Sequence, residues 1–184
     1  MSNYRPICDV WFLARPKVAY YGAYPNGFLE RARVLLGVNR CDSVLHVCGG
    51  HAKRYPAWKK LCPYDKTLDL DSATEPDFHL DARLPLPDAD GNPRFESPWA
   101  AILCDPPYTE ADAAKYQPGA ATLPTATALL RNALASVRVG GRVGMLHYLL
   151  PRPPRDGVKF LACVGVIVGY DNRIRAYSVF ERLT

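Results

Sequence analysis

A chain of 184 residues, 48% hydrophobic and 22% charged, is one globular domain's worth of sequence with little left for a second. That composition excludes a disordered, collagenous or coiled-coil protein. The net charge of +5 is unevenly spread, +7 over residues 1–60, −8 over 61–120 and +6 over 121–184, so the ends suit a polyanion and the acidic middle suits a ligand with hydroxyls and a cationic centre.

In chain order, residues 26–37 (NGFLERARVLLG) have the spacing of an amphipathic helix stopped by glycine. Residues 43–48 (SVLHVC) read as a short buried strand running into Gly49-Gly50, and 66–70 (KTLDL) as a second. The proline-rich stretch 85–98 reads as a loop. Residues 100–104 (AAILC) form a third strand, stopped by Asp105-Pro106-Pro107, and 109–125 read as a further loop suited to a lid. Helical spacing returns over 125–139, through Ala128, Leu129, Ala133, Leu134 and Val137. Gly140-Gly141 ends that helix, and 142–148 (RVGMLHY) is the next strand. After the loop PRPP at 151–154, residues 160–169 and 174–180 read as two strands joined through Gly169-Tyr170-Asp171-Asn172. Strands separated by helices predict a doubly wound, mostly parallel sheet, to which the closing hairpin adds an antiparallel strand. Ligands of such sheets bind at the carboxyl ends of the strands.

The six cysteines are scattered without a C-x-x-C pair and read as reduced core thiols. Cys48, His51 and Cys62 lack a fourth ligand at zinc spacing, so no metal is expected. No apolar run reaches the ~18 residues of a membrane helix. The start MSNYRPICDV has no basic-then-apolar leader, so no membrane partner and a cytoplasmic setting are expected.

Asp105-Pro106-Pro107-Tyr108 is the most informative string. Two prolines stiffen the backbone and remove two N–H donors, so carbonyls nearby are free to accept from outside. A carboxylate, a rigid carbonyl and an aromatic ring at a strand's carboxyl end suit a planar ring bearing an NH₂ group. The ring would stack on Tyr108 while the NH₂ donates to Asp105 and the Pro106 carbonyl.

The string resembles the DPPY motif of amino-methyltransferases, which move a methyl group from S-adenosylmethionine to an exocyclic nitrogen. The likeness runs from about residue 20 to 181. It implies a Rossmann-like, mostly parallel seven-stranded sheet with a C-terminal antiparallel hairpin. It implies a single class I methyltransferase domain over 1–184, with 1–42 covering the cofactor and no separate target-recognition domain. The resemblance gives Asp105, Pro106, Pro107 and Tyr108 the catalytic role, and S-adenosylmethionine as cofactor. Residues 44–50 resemble the glycine-rich loop of the cofactor site, which assigns His46, Cys48, Gly49 and Gly50 to it. Here His46 stands where an acid is usual, and Gly50-His51 replaces a further glycine. Asp69, with Asp71 in reserve, resembles the ribose-holding acid, and Asp81-Ala82 the reader of the adenine amine. Tyr24-Pro25 resembles the segment over the cofactor's methionine end, and Asp105 also borders the cofactor.

Lys53, Arg54, Lys59 and Lys60 interleave with Tyr55 and Trp58, while Arg152, Arg155 and Lys159 follow the fifth strand. Basic residues mixed with aromatics suit a nucleic-acid strand. The resemblance points first to adenine N6 in DNA, alternatively to an RNA base, adenine or guanine. A module that binds cofactor or nucleic acid without turnover is the third reading.

Overall fold

The computed structural model describes residues 5–18, 20, 22–92, 98–116, 123–169 and 173–184. Parts of the two expected loops (93–97 and 117–122) and of the hairpin turn (170–172) lie outside the described residues.

The strands are β1 (Ile7–Leu13), β2 (Val44–Val47), β3 (Lys66–Asp69), β4 (Phe78–His79), β5 (Trp99–Cys104), β6 (Val137–His147), β7 (Val158–Val168) and β8 (Ile174–Arg182). The helices are α1 (Phe28–Leu36), α2 (Trp58–Leu61), α3 (Glu110–Tyr116) and α4 (Ala126–Ser136). All eight strands join one sheet in the order β1-β7-β8-β6-β5-β2-β3-β4. Only β8 runs antiparallel, to both β6 and β7. The expected doubly wound sheet and closing hairpin are therefore present.

The strand count differs from expectation. Residues 7–13, within the segment expected to cover the cofactor, form an eighth strand at the far edge, parallel to β7. Trp11 and Leu13 face the core, and Phe12 is 75% exposed on the opposite side. The two inward residues carry the period of a half-covered strand, and β7 supplies the backbone partners.

Two apolar layers sandwich the sheet. Phe28, Leu29, Ala32 and Leu36 of α1 pack with Trp11, Val164 and Tyr177 on one face. Leu129, Leu130, Ala133 and Leu134 of α4 pack with Trp99, Ile102 and Met145 on the other. Thr125 caps α4 through its hydroxyl, which accepts from the Ala128 N–H at 3.2 Å. The pair Gly140-Gly141 does not end a helix as expected: α4 stops at Ser136 and β6 begins at once. The glycines form a bulge, the pairing jumping from Trp99–Val137 to Ala101–Arg142. A Cβ on Gly141 would sit 2.8 Å from the Arg138 carbonyl oxygen and 3.0 Å from that of Ala100, so only glycine fits.

Candidate functional site

Two cavities open at the carboxyl ends of the central strands, and they share Gly22, Asp105 and Pro107. The larger encloses about 900 Å³ of empty space, counting its mouth, against about 540 Å³ for the smaller.

The larger cavity is built on the loop after β2. Gly49 donates to the Leu68 carbonyl at 3.2 Å, tying that loop to β3. Gly50, in the left-handed region at φ 47°, donates to Asp69 Oδ2 at 2.7 Å. The Asp71 N–H donates to Asp69 Oδ1 at 2.9 Å, so both Asp69 oxygens hold backbone. Burial still pushes the Asp69 carboxyl up. Asp71 caps the following turn by accepting from the Ala73 N–H at 2.9 Å. Cys48, Gly50, Asp69, Asp71, Asp81 and Ala82 all line this cavity, so the structure brings most of the expected cofactor residues together. The Asp81 carboxylate, however, accepts from Arg83 Nε at 2.9 and 3.0 Å. That fork holds its carboxyl below the usual range and occupies part of its accepting capacity. Asn132 of α4 anchors the same corner, its Nδ2 donating to the Ala82 carbonyl at 2.8 Å.

Four expected cofactor residues do not line the larger cavity: Gly49, which ties the loop to β3, and three that lie elsewhere. His46 is 1% exposed and faces the α1 layer, with Nε2 2.9 Å from Asp65 Oδ2. Its strand has period two, so a residue between Leu45 and Val47 points away from their side. Pro25 lines the smaller cavity instead. Tyr24 is buried against Phe28, ring centroids 5.3 Å apart, and borders neither cavity.

His46, Cys62 and Asp65 form a buried group with metal-ligand chemistry that the cysteine spacing did not disclose. Arg33 already occupies it. Its Nη1 lies 2.6 Å from Asp65 Oδ2 and 3.8 Å from Cys62 Sγ, where a cation would otherwise sit.

The smaller cavity is lined by Asp105, Pro106, Pro107, Tyr108, Asp112 and Arg175, among others. Asp105 continues the β5 register, its N–H donating to the Val47 carbonyl at 3.1 Å. Tyr108 Oη donates to Asp105 Oδ1 at 2.5 Å. Burial pushes the Asp105 carboxyl up to about 6, tempered by that hydroxyl and by the Arg175 charge. The Tyr108 ring meets His147 edge-on at 5.4 Å and Tyr148 at 4.6 Å. Burial pushes the His147 imidazole down, and its Nδ1 accepts from the Leu149 N–H at 2.8 Å.

Arg175 was missed in the sequence. It stands near the start of β8, the antiparallel strand, whose amino end therefore lies beside the carboxyl ends of its neighbours. A basic residue opening the returning strand of the hairpin was the available signal.

The expected phosphate clamps divide. Lys53 is tied to Asp77 at 3.1 Å and to the Glu75 carbonyl at 2.9 Å, so it serves the fold. Lys159 stands opposite Glu181 in the β7–β8 register, at the amino end of the parallel strands and away from the site, which corrects its expected place. Lys59 and Lys60 lie on α2, whose chain leads on to the start of β3. Arg54 is exposed near the glycine loop, its guanidinium 5.6 Å from the Tyr20 ring centroid. Arg152 and Arg155 are exposed, and Arg152 is held beside the start of α4 by its N–H, which donates to Thr127 Oγ1 at 3.2 Å. Among the described residues no helix is long and apolar enough to cross a membrane.

No protein-family model and no curated protein sequence matches the chain. Solved structures do. TrmN from Thermus thermophilus is similar over 90% of this chain and 51% of its own, at 22% identity and TM-score 0.62. SMU.1697c of Streptococcus mutans, a proposed methyltransferase crystallised with SAH, is similar over 84% of this chain and 97% of its own, at 10% identity and TM-score 0.52. An rRNA methylase from Streptococcus thermophilus is similar over 89% of this chain and all of its own, at 10% identity and TM-score 0.50. The chain thus spans about half the length of TrmN. With the strand order and the closing hairpin, these likenesses show that the chain has the Rossmann-like α/β fold of methyltransferases.

Proposed function

We propose that the chain is an S-adenosylmethionine-dependent methyltransferase acting on the exocyclic amino group of a nucleobase, adenine N6 first. The observation that carries this reading is the meeting of two cavities at Asp105. One has the donor set of a nucleoside site, and the other has a carboxylate beside a proline-stiffened corner.

The residues of the larger cavity fit the cofactor. Asp69 and Asp71 offer carboxylate oxygens to ribose hydroxyls. Leu68, Leu70 and Leu80 supply apolar walls for a flat ring, and Ala82 a backbone edge. The bound cofactor would supply a methyl group carried on a sulfonium.

In the smaller cavity, the acceptor amine donates to Asp105 and to the Pro106 carbonyl. An aromatic NH₂ is a poor nucleophile because its lone pair feeds the ring. Two acceptors favour a more tetrahedral nitrogen with a usable lone pair, and they are preorganised where positive charge develops. Tyr108 Oη holds Asp105 Oδ1, which fixes the carboxylate plane. Holding the amine in line supplies much of the remaining acceleration. The methylated nitrogen is strongly acidic, so Asp105 takes its proton late. With its carboxyl near 6, Asp105 is mostly ionised at pH 7.5 and ready to accept. A base within a duplex must first leave the stack.

The acceptor polymer we propose is RNA, in place of the DNA first expected. The similarity to an rRNA methylase supports RNA. The experiment is incubation with labelled cofactor and, separately, total RNA and genomic DNA, followed by nucleoside mass spectrometry. Label in N6-methyladenosine from RNA is the expected result. Label only in deoxynucleosides would return the reading to DNA, and no label in either would overturn it.

A further inference from the structure

We infer that Arg175 is an acceptor-binding residue that reads the ring nitrogen beside the methylated amine; this rests on the nucleobase-methyltransferase reading. Arg175 lines the same cavity as Asp105 and Pro106. Its position follows from the sheet. Cys104, the residue before Asp105, pairs with Met145, and Met145 with Ser178 of β8. Arg175 lies three residues earlier on that antiparallel strand, which carries it past the strand ends to the level of the proline corner.

Its guanidinium is oriented. The Cζ atom stands 5.7 Å from the Tyr108 ring centroid, a cation–π distance. Neighbouring Arg173 donates to Tyr148 Oη at 3.4 Å on the same rim. Yet Arg175 Nε is buried without a hydrogen-bond partner among the described residues. A buried N–H left unpaired is costly, so an acceptor brought into the cavity beside the guanidinium would be favoured.

The chemistry of that ligand follows from the two charges lining the cavity. Asp105 accepts and Arg175 donates, and no carboxylate neutralises the guanidinium at ion-pair distance among the described residues. A nucleobase edge with an amine beside a ring nitrogen meets both. Adenine offers N6 flanked by N1 and N7. An amine without a neighbouring acceptor, as on a lysine side chain, would leave Arg175 Nε without an acceptor and meet a second positive charge.

The test uses the full chain saturated with S-adenosylhomocysteine, with adenosine, 1-deazaadenosine and 7-deazaadenosine as probes in calorimetric titrations. Both analogues keep the amine, and each lacks one flanking nitrogen. Adenosine is expected to bind about tenfold tighter than one of the two analogues. Arg175→Ala is expected to bring that ratio to about one while S-adenosylhomocysteine affinity stays within twofold. Arg175→Lys should restore part of the ratio, which a merely structural role would not do. In labelled protein, the Arg175 Nε–H resonance should shift on adding adenosine and stay still with the disfavoured analogue. No adenosine binding, equal binding of all three probes, or an unmoved ratio in Arg175→Ala overturns the inference. Failure of the wild-type chain to bind S-adenosylhomocysteine instead fells the methyltransferase reading beneath it.

Discussion

Asp65 and Asp105 are both buried carboxylates, and their surroundings differ in kind. The Asp65 side chain is fully enclosed and receives Arg33 Nη1 at 2.6 Å, His46 Nε2 at 2.9 Å and the Val44 N–H at 3.3 Å. It joins α1, β2 and the chain ahead of β3, with its charge matched inside the fold. Asp105 receives the Tyr108 hydroxyl and feels the Arg175 charge, and burial still drives its carboxyl up to about 6. An acid whose partners are complete holds a scaffold together. An acid left short of donors at a cavity junction is available to a ligand.

The largest test of that contrast removes the under-served acid. Asp105→Ala is expected to cost at least about 10³-fold in turnover with cofactor affinity within threefold, because both its acceptor and its proton-accepting roles go. Single-turnover methyl transfer beside calorimetric titration of S-adenosylmethionine measures the two. Asp65→Ala should do the reverse. It strands Arg33 and His46 in the interior, a loss of about 3–5 kcal/mol. For a domain of this size that lowers the melting temperature by ~10 °C. Full activity of Asp105→Ala, or an unchanged melting temperature for Asp65→Ala, would erase the distinction.

A smaller effect is expected at Asp69, which combines both characters. It ties the glycine loop through Gly50 and also lines the cofactor cavity. Asp69→Ala leaves the Gly50 and Asp71 N–H groups short of acceptors, and cofactor affinity should fall about tenfold. A fall no greater than that of Asp71→Ala would mean that the tie to the loop contributes little.

The raised Asp105 carboxyl also has a stability signature. Its native value lies above that of the unfolded chain, so the fold keeps its full stability below about pH 4. It loses some as pH rises through about 6, after which the loss is complete. Asp105→Asn should therefore be the more stable protein at pH 7.5, by about 1–3 kcal/mol, with the gap closing near pH 4. Urea denaturation at the two pH values measures it. A gap independent of pH would show that the carboxyl is not held up by burial.

Much of this was legible in the chain because it is local. Buried strands such as AAILC, the α4 spacing and the proline corner each declare themselves within a few residues. What escaped depends on long-range pairing. The strand ICDVWFL carries Asp9 and is completed only by β7, some 150 residues onward. His46 was assigned by its place in a motif, whereas strand alternation turns it to the α1 side. Arg175 became visible only through the antiparallel register of β8. The charges were countable, but which end of a strand each one occupies was not.

The smallest expected effect concerns those charges. Arg152 sits beside the start of α4, at the level of the cavities, whereas Lys159 sits opposite Glu181 at the far end of the sheet. If a nucleic-acid strand lies over the cavities, Arg152→Ala should weaken RNA binding only a few-fold. It should also lower the slope of log affinity against log salt by about 0.7 to 0.9, the share of one phosphate contact. Lys159→Ala should leave both affinity and slope unchanged. Fluorescence titration of a single-stranded RNA from 50 to 200 mM salt resolves the two. Equal slopes for both variants would remove Arg152 from the binding track, and a lowered slope for Lys159→Ala would move that track to the opposite end of the sheet.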